Sequence, residues 1–135
     1  MIDKLTQALD FNAQALQLRA KRQELLASNI ANADTPNYKA ADFDFAAALK
    51  NATIQQQTTA SSDLSVSDAG HVGTKIAGNL ATPMLYRSSV QPSIDGNTVD
   101  MDTERTQFTD NAVRYEAAMR FLNGQIKTIL SAIQG

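Results

Sequence analysis

The sequence predicts a mainly α-helical protein, in which long N- and C-terminal helices form a coiled-coil-like pair around a loop-rich middle with room for a short hairpin. Apolar residues recur every seven positions at both ends of the 135-residue chain, a spacing typical of paired helices. The middle lacks this repeat, and residues 51–98 hold four of the six glycines and two of the three prolines. We therefore divide the chain into a helical segment 1–34, a middle segment 35–98 and a helical segment 99–135.

The first helix is expected to run from about residue 2 to about residue 32, a stretch rich in alanine, leucine, glutamine and arginine, which favour helices. Its main apolar row has a spacing of seven and one polar member, Gln23. The apolar members of this row are Ile2, Leu9, Leu16 and Ile30. This row predicts the face that packs against the last helix.

A second apolar row, formed by Phe11, Leu18 and Leu25, begins two positions after Leu9. Two positions at about 100° each place it roughly 200° around the helix axis, so one partner helix cannot cover both rows. Either the middle of the same chain folds back over the second row, or neighbouring subunits cover it. The polar, glycine-containing composition of the middle favours neighbouring subunits.

The middle segment begins with a turn at Thr35-Pro36, because proline lacks an amide hydrogen and disfavours a helical residue before it. A second, short helix is predicted to run to Lys50 with Asp42 as its cap. From about residue 51 to residue 98 the chain is predicted to be rich in loops. Two stretches in it, 64–67 and 84–86, have a strand-like pattern.

The last helix is predicted to open near Val99, with Asp100 or Asp102 as its cap. Its apolar stripe continues for about four heptads. The members of the stripe are Phe108, Ala112, Tyr115, Met119, Leu122, Ile126, Ile129 and Ile133. Gly124 within the helix costs about 1 kcal/mol relative to alanine, so we expect another helix to approach its backbone closely.

Composition excludes several function classes. Twelve basic and 14 acidic residues give a net charge of −2, which provides no general attraction to nucleic acid. The basic cluster of Arg19, Lys21 and Arg22 spreads around the first helix and is expected to be solvated or interfacial. The absence of cysteine excludes disulfides, a thiolate metal site and a cysteine nucleophile. No apolar stretch approaches the length that crosses a bilayer, and the first residues lack the layout of a secretory signal.

No catalytic, cofactor or metal site is predicted. His71 is the single histidine, and its setting between two glycines favours a role in a turn or an interface. Paired carboxylates at 42 and 44, and at 100, 102 and 104, have the residue type that glycosidic acid and base chemistry needs. At the starts of helices, however, carboxylates commonly serve as caps. No nucleotide-binding or hydrolase motif is present.

The run from Asn29 to Tyr38 has the pattern Asn-x-x-Asn-x-x-Thr-Pro-x-Tyr, which resembles the signature of the flagellar basal-body rod and hook protein family. The run 91–108, together with Asp110 and Asn111, is similar to the proximal-rod members of that family. Asn37 stands where members often have glycine, and asparagine also tolerates a left-handed backbone.

The resemblance implies a structural subunit whose coaxial terminal helices pack with those of neighbouring subunits and transmit torque, with no enzymatic activity and no cofactor. It implies contacts with copies of the chain, with other rod proteins, with the adaptor protein between rod and membrane ring, and with that ring. It also implies unfolded export through the flagellar type III apparatus to the periplasmic rod. Neither nucleic acid nor a small-molecule substrate is expected to bind.

The expected working residues are therefore interfacial. The main seam comprises Leu9, Leu16, Ile30, Phe108, Tyr115, Met119, Leu122, Ile126 and Ile129. The second row of Phe11, Leu18 and Leu25 is assigned to neighbouring subunits. The signature turn comprises Asn29, Asn32, Thr35, Pro36 and Tyr38, with both asparagines expected to bond locally. Two alternatives remain open at this point, an export or assembly chaperone that uses the same heptads and a wall-cleaving enzyme that uses the paired carboxylates.

Overall fold

The computed structural model describes residues 2–59, 83–88 and 93–135. In this part of the chain three helices and two short strands follow in the order α1 (Ile2–Ala31), β1 (Ala41–Asp42), α2 (Phe45–Thr59), β2 (Leu85–Tyr86) and α3 (Met101–Gln134). The predicted mainly helical fold with long terminal helices is confirmed. The strand-like stretch 64–67 and His71 lie outside the described residues.

The two long helices α1 and α3 lie side by side and run antiparallel. Asn12, early in α1, donates from Nδ2 to Oε1 of Gln125, late in α3, at 2.9 Å. Asn29, near the end of α1, donates to Oε2 of Glu104, near the start of α3, at 3.1 Å. At 1.5 Å per residue these helices of 30 and 34 residues are about 45 and about 50 Å long.

A two-stranded antiparallel sheet joins two parts of the middle segment, one shortly after α1 and one at residues 85–86. Ala41 pairs with Tyr86, and Asp42 pairs with Leu85. The predicted strand at 84–86 is thus present as β2. Because β1 follows α1 by only nine residues, the sheet holds residues 83–88 close to the helix pair.

The second helix differs from its prediction at both ends. It begins at Phe45 rather than just after Asp42, and the cap is Asp44, whose Oδ1 accepts from the backbone N–H of Ala47 at 3.1 Å. It ends at Thr59 rather than Lys50, so the predicted loop after residue 50 is wrong as far as residue 59. Asp42 belongs instead to β1 and forms ion pairs. Alanine and glutamine, common in this stretch, sustain the helix.

The assignment of the second row to neighbouring subunits is wrong for Leu18 and Leu25. Leu18 is 1% exposed and forms a core cluster with Phe43 and Ala48, and Leu25 packs against the same cluster. The start of α2 and Phe43, two residues before it, therefore cover this part of α1 from within the chain. Phe11 is 43% exposed and stays free of this core.

The buried residues of the two long helices are confined to one half of the pair. Among the described side chains they are Leu18, Leu26, Asn29, Glu104 and Asn111. We call residues 18–31 and 101–111 the closed half, and residues 4–17 and 112–134 the open half. No residue of the open half is buried.

Candidate functional site

The helices α1 and α3 are in contact, and the residues predicted to form the seam between them are at most partly covered. Leu9, Leu16, Ile30, Phe108, Tyr115, Leu122 and Ile129 are half-buried, whereas Met119 and Ile126 are exposed. An open groove of about 790 Å³ runs along the contact between α1 and α3, across the boundary of the closed and open halves. Its walls include Ala20 and Ala27 of α1 and Phe108, Ala112 and Tyr115 of α3. The contact between α1 and α3 therefore leaves an apolar groove open.

The polar break in the first heptad row has a partner across the seam. Gln23 accepts a hydrogen bond from Nδ2 of Asn111 at 2.6 Å, and its own Nε2 donates to the carbonyl of Phe108 at 3.5 Å. Asn111 is 1% exposed and also donates to the carbonyl of Arg19 at 3.0 Å. Because a polar pair inside an apolar seam fits in only one alignment, these residues fix the register of α1 against α3.

The signature turn is held by Asn29, whose amide is fully buried at the end of α1. Its Oδ1 accepts from the N–H of Ala41 and from the hydroxyl of Tyr38, each at 3.1 Å. Its Nδ2 donates to the carbonyl of Ala41 at 2.8 Å and to Oε2 of Glu104. The expectation of purely local bonding is therefore wrong for Asn29, because it also reaches α3.

The other signature residues shape the turn itself. Asn32 bonds locally, donating to the carbonyl of Ser28 at 2.8 Å and accepting from the Thr35 hydroxyl at 3.2 Å. Thr35 and Pro36 are exposed in the turn. Asn37 has a φ of 60°, the left-handed conformation that asparagine tolerates better than most residues. The turn thus redirects the chain from α1 into the strand.

A second buried amide, Asn97, fastens this turn to the segment before α3. Its Nδ2 contacts the carbonyls of Asn32, Ala33 and Thr35 at 2.7–3.0 Å. Its Oδ1 accepts from the N–H of Val99 at 2.8 Å. One side-chain amide thus lies against three carbonyls of the turn after α1, two of which, those of Asn32 and Thr35, also accept backbone N–H bonds within the turn.

Four charged side chains from three parts of the chain meet beside Asn29. Arg22 pairs with Asp42 at 3.0 Å, and Arg87 pairs with both Asp42 and Glu104, the latter at 2.7 Å. Glu104 is 1% exposed, so removing its cationic partner would leave a buried charge. Burial alone would raise the pKa of Asp42, but the hydrogen bonds from Arg22 and Arg87 outweigh it and hold that pKa below its usual value. We call these four residues the ion cluster.

The carboxylates considered for acid and base chemistry have structural partners instead. Asp42 is engaged by two arginines, and Asp44 caps α2. Asp100 caps α3 by accepting from the N–H groups of Asp102 and Thr103 at 3.1 and 3.4 Å. Within the described ranges no cluster of metal-ligating side chains occurs, and no helix is long and apolar enough to span a bilayer.

The open half presents large apolar side chains to solvent. Phe121 is 60% exposed, Leu130 is 50% exposed and Ile133 is 77% exposed. Leu5 of α1 and Phe121 of α3 line an open groove that also includes Gly124. Among the described residues no other helix approaches Gly124 closely, since a Cβ at this position would meet none of their atoms within 4 Å.

Most of the residues that join distant parts of the chain could not be assigned a role from the sequence. Asn97, Glu104 and Asn111 lie in runs that carried the family resemblance, yet nothing in their spacing revealed their partners. Arg87 gave no signal in the sequence, because it lies in the irregular middle segment and its partners are 17 and 45 residues away.

Comparison with known proteins identifies the family. Residues 9–39 match the model of the flagella basal body rod protein family. The chain is 46% identical over 136 residues to the flagellar basal body rod protein FlgB of Salmonella typhimurium strain LT2, covering 100% of this chain and 99% of that protein. It is 48% identical to FlgB of Escherichia coli K12, covering 99% and 98%, and 43% identical to FlgB of Cereibacter sphaeroides, covering 94% of each. The chain therefore belongs to the flagellar basal body rod protein family, and it is a structural component of that rod.

Proposed function

We propose that the chain is a subunit of the proximal rod, which joins copies of itself and other rod proteins through its terminal helices and transmits torque from the motor ring to the distal rod and hook. Its further proposed partners are the adaptor protein and the membrane ring, and the type III export apparatus during secretion. The relatives named FlgB and the resemblance of residues 91–108 support this placement.

The open half is the observation that supports assembly most directly. Its helices have no buried residue, although large apolar side chains occur along both of them. Each such side chain gains roughly 1.5–3 kcal/mol when it is fully buried rather than left in water. Helices of neighbouring subunits can supply this burial, and a head-to-tail contact of that kind extends into a helical lattice.

The closed half supports the transmission of torque. A subunit that passes on a twisting force must keep its helices in fixed register. The Gln23–Asn111 pair, the buried Asn29 and the ion cluster tie α1, α3 and the strand segments together through directional polar contacts. The molecule thus combines a closed half, whose helices are held by polar contacts, with an open half, whose helices have no buried residue.

The test is to place a charge on the open half. We expect Phe121→Asp and Leu130→Asp to abolish swimming and to remove intact rods from purified basal bodies, because a carboxylate at either position opposes burial by a neighbour. Both side chains are at least half exposed in the single chain, so the purified variants should keep the wild-type helical circular dichroism spectrum.

The matched control is Thr109→Asp, which adds the same charge at an exposed polar position of the same helix. This variant should swim normally. Normal swimming and intact rods in both Phe121→Asp and Leu130→Asp would contradict assembly through the open half.

A further inference from the structure

We propose that a pocket between α1, the start of α2 and α3 binds a side-chain carboxylate of a neighbouring rod subunit, and that Arg19 recognises it. The walls of the pocket include three arginines, two aspartates and an aromatic ring: Arg19, Arg22, Arg114, Asp44, Asp110 and Phe45. This inference rests on the proposed function, because it requires a neighbouring subunit.

Arg19 is the arginine of this pocket that forms no ion pair with a described carboxylate. Arg22 pairs with Asp42 at 3.0 Å, and Arg114 pairs with Asp110 at 2.8 Å. Among the residues that the structure describes, no carboxylate lies within 4.0 Å of the Arg19 guanidinium. The pocket lining carries three arginines and two aspartates, a difference of one positive charge.

The Arg19 guanidinium is held by an aromatic face rather than by an anion. It stacks over the ring of Phe45, with its central carbon 4.4 Å from the ring centroid. A guanidinium above an aromatic face keeps N–H groups available as donors, because the ring offers them no oxygen acceptor. Phe45 is itself packed against the Leu18 core cluster, so the stacked position is fixed by the fold.

The surroundings of Arg19 favour the arrival of a negative charge. Burial lowers the pKa of Arg19, and the positive charges of Arg114 and Arg22 lower it further, while Asp110 alone opposes them. Like charges held together repel, and an incoming anion relieves this repulsion. The Asp44 carboxylate forms no ion pair with Arg19, and its Oδ1 accepts from the N–H of Ala47 at the start of α2.

A carboxylate fits the pocket better than a phosphate or a nucleic acid. The surplus is a single positive charge, which one carboxylate neutralises, and a guanidinium edge matches the two oxygens of a carboxylate. The pocket volume of about 420 Å³ admits the side chain of an aspartate or a glutamate. The whole chain carries a net charge of −2, which does not attract polyanions.

The experiment replaces Arg19 in the full-length chain in motile cells. We expect Arg19→Glu to abolish swimming, since it brings two carboxylates together, and Arg19→Gln to reduce the swimming rate without abolishing it. Both variants lose the guanidinium that lies over Phe45, so the difference between their swimming rates reports the effect of charge alone. The control is Arg105→Glu, the same charge reversal at an exposed arginine of α3 outside the pocket, which should swim normally.

The identity of the partner comes from suppressors of Arg19→Glu. We expect restored swimming to arise from substitutions of aspartate or glutamate by lysine or arginine on the surface of a rod protein. Equal loss of swimming in Arg19→Gln and Arg19→Glu, with both lowering the thermal midpoint of the purified chain, would reduce Arg19 to a packing residue and overturn the proposal. So would suppressors confined to Asp44 and Asp110.

This failure can be told apart from failure of the proposed function. If Arg19→Glu swims normally while Phe121→Asp does not, the carboxylate pocket is excluded and assembly through the open half stands. If both variants swim normally, assembly through these surfaces is excluded together with the pocket.

Discussion

Asn29 shows how a single residue joins the signature turn to the helix pair. Both ends of its buried amide are used, by the backbone of Ala41, the Tyr38 hydroxyl and the Glu104 carboxylate. We expect Asn29→Ala to lower the free energy of unfolding by about 2–4 kcal/mol, because these buried partners lose their hydrogen bonds together. Urea unfolding of the purified chain measures this. Asn32→Ala, which removes only local bonds in a more exposed turn, should cost about 1 kcal/mol, and equal losses would contradict the proposed role of Asn29.

Asp42 gives the molecule a defined response to acid. Its folded pKa lies below its usual value, so its stabilising contribution is complete above the unfolded pKa of about 3.9 and is lost as the pH falls through the folded pKa. We expect the Asp42→Asn variant to have a lower free energy of unfolding than the wild-type chain at neutral pH. As the pH falls below about 4, the free energy of unfolding should drop less in the variant than in the wild-type chain. Unfolding curves measured at several pH values test this. Parallel profiles for the two chains would show that the carboxylate contributes nothing through its charge.

At the scale of elements, the packing of α2 could not be predicted from the sequence. The second row of α1 correctly indicated a second covered face, but composition pointed to other subunits, whereas Phe43 and Ala48 cover Leu18 from the same chain. We expect Leu18→Ala to lower the free energy of unfolding by about 2–4 kcal/mol through the cavity it leaves. Leu5→Ala, at an exposed position of the same helix, should change it by less than about 1 kcal/mol. Similar small losses for both would place Leu18 outside the core.

A substitution of Gly124 should have opposite effects on the purified chain and on the assembled rod. A methyl group there meets open space in the single chain, so Gly124→Ala should raise the stability of the purified chain by about 1 kcal/mol. The glycine also lies in the groove beside Leu5 and Phe121, where we propose that a neighbouring helix packs. Swimming should therefore be impaired although the chain is more stable. A variant that is more stable and swims normally would show that no backbone approaches this glycine in the rod.

Across the whole molecule, the apolar periodicity predicted the faces that the regular helices bury. It could not predict the contacts that the irregular segments make. The heptads located α1 and α3, and the polar break at Gln23 was visible, but its partner Asn111 was not. Arg87 reaches Asp42 and Glu104 only because the β1–β2 pairing places it there. Contacts that join distant parts of a chain through single polar side chains leave no period in the sequence, so the closed half could not be derived from it.

The division into a closed and an open half makes a prediction for the whole chain. Opening free energies follow local burial, so backbone amides of residues 9–16 and 116–130 should exchange hydrogen faster in the purified chain than those of 22–29 and 104–111. In purified basal bodies the difference should shrink, because neighbouring helices would bury the open half. Hydrogen exchange followed by mass spectrometry on both samples measures this. Uniformly slow exchange in the purified chain would mean that the helix pair is complete by itself, and the exposed apolar side chains would then be no evidence for assembly.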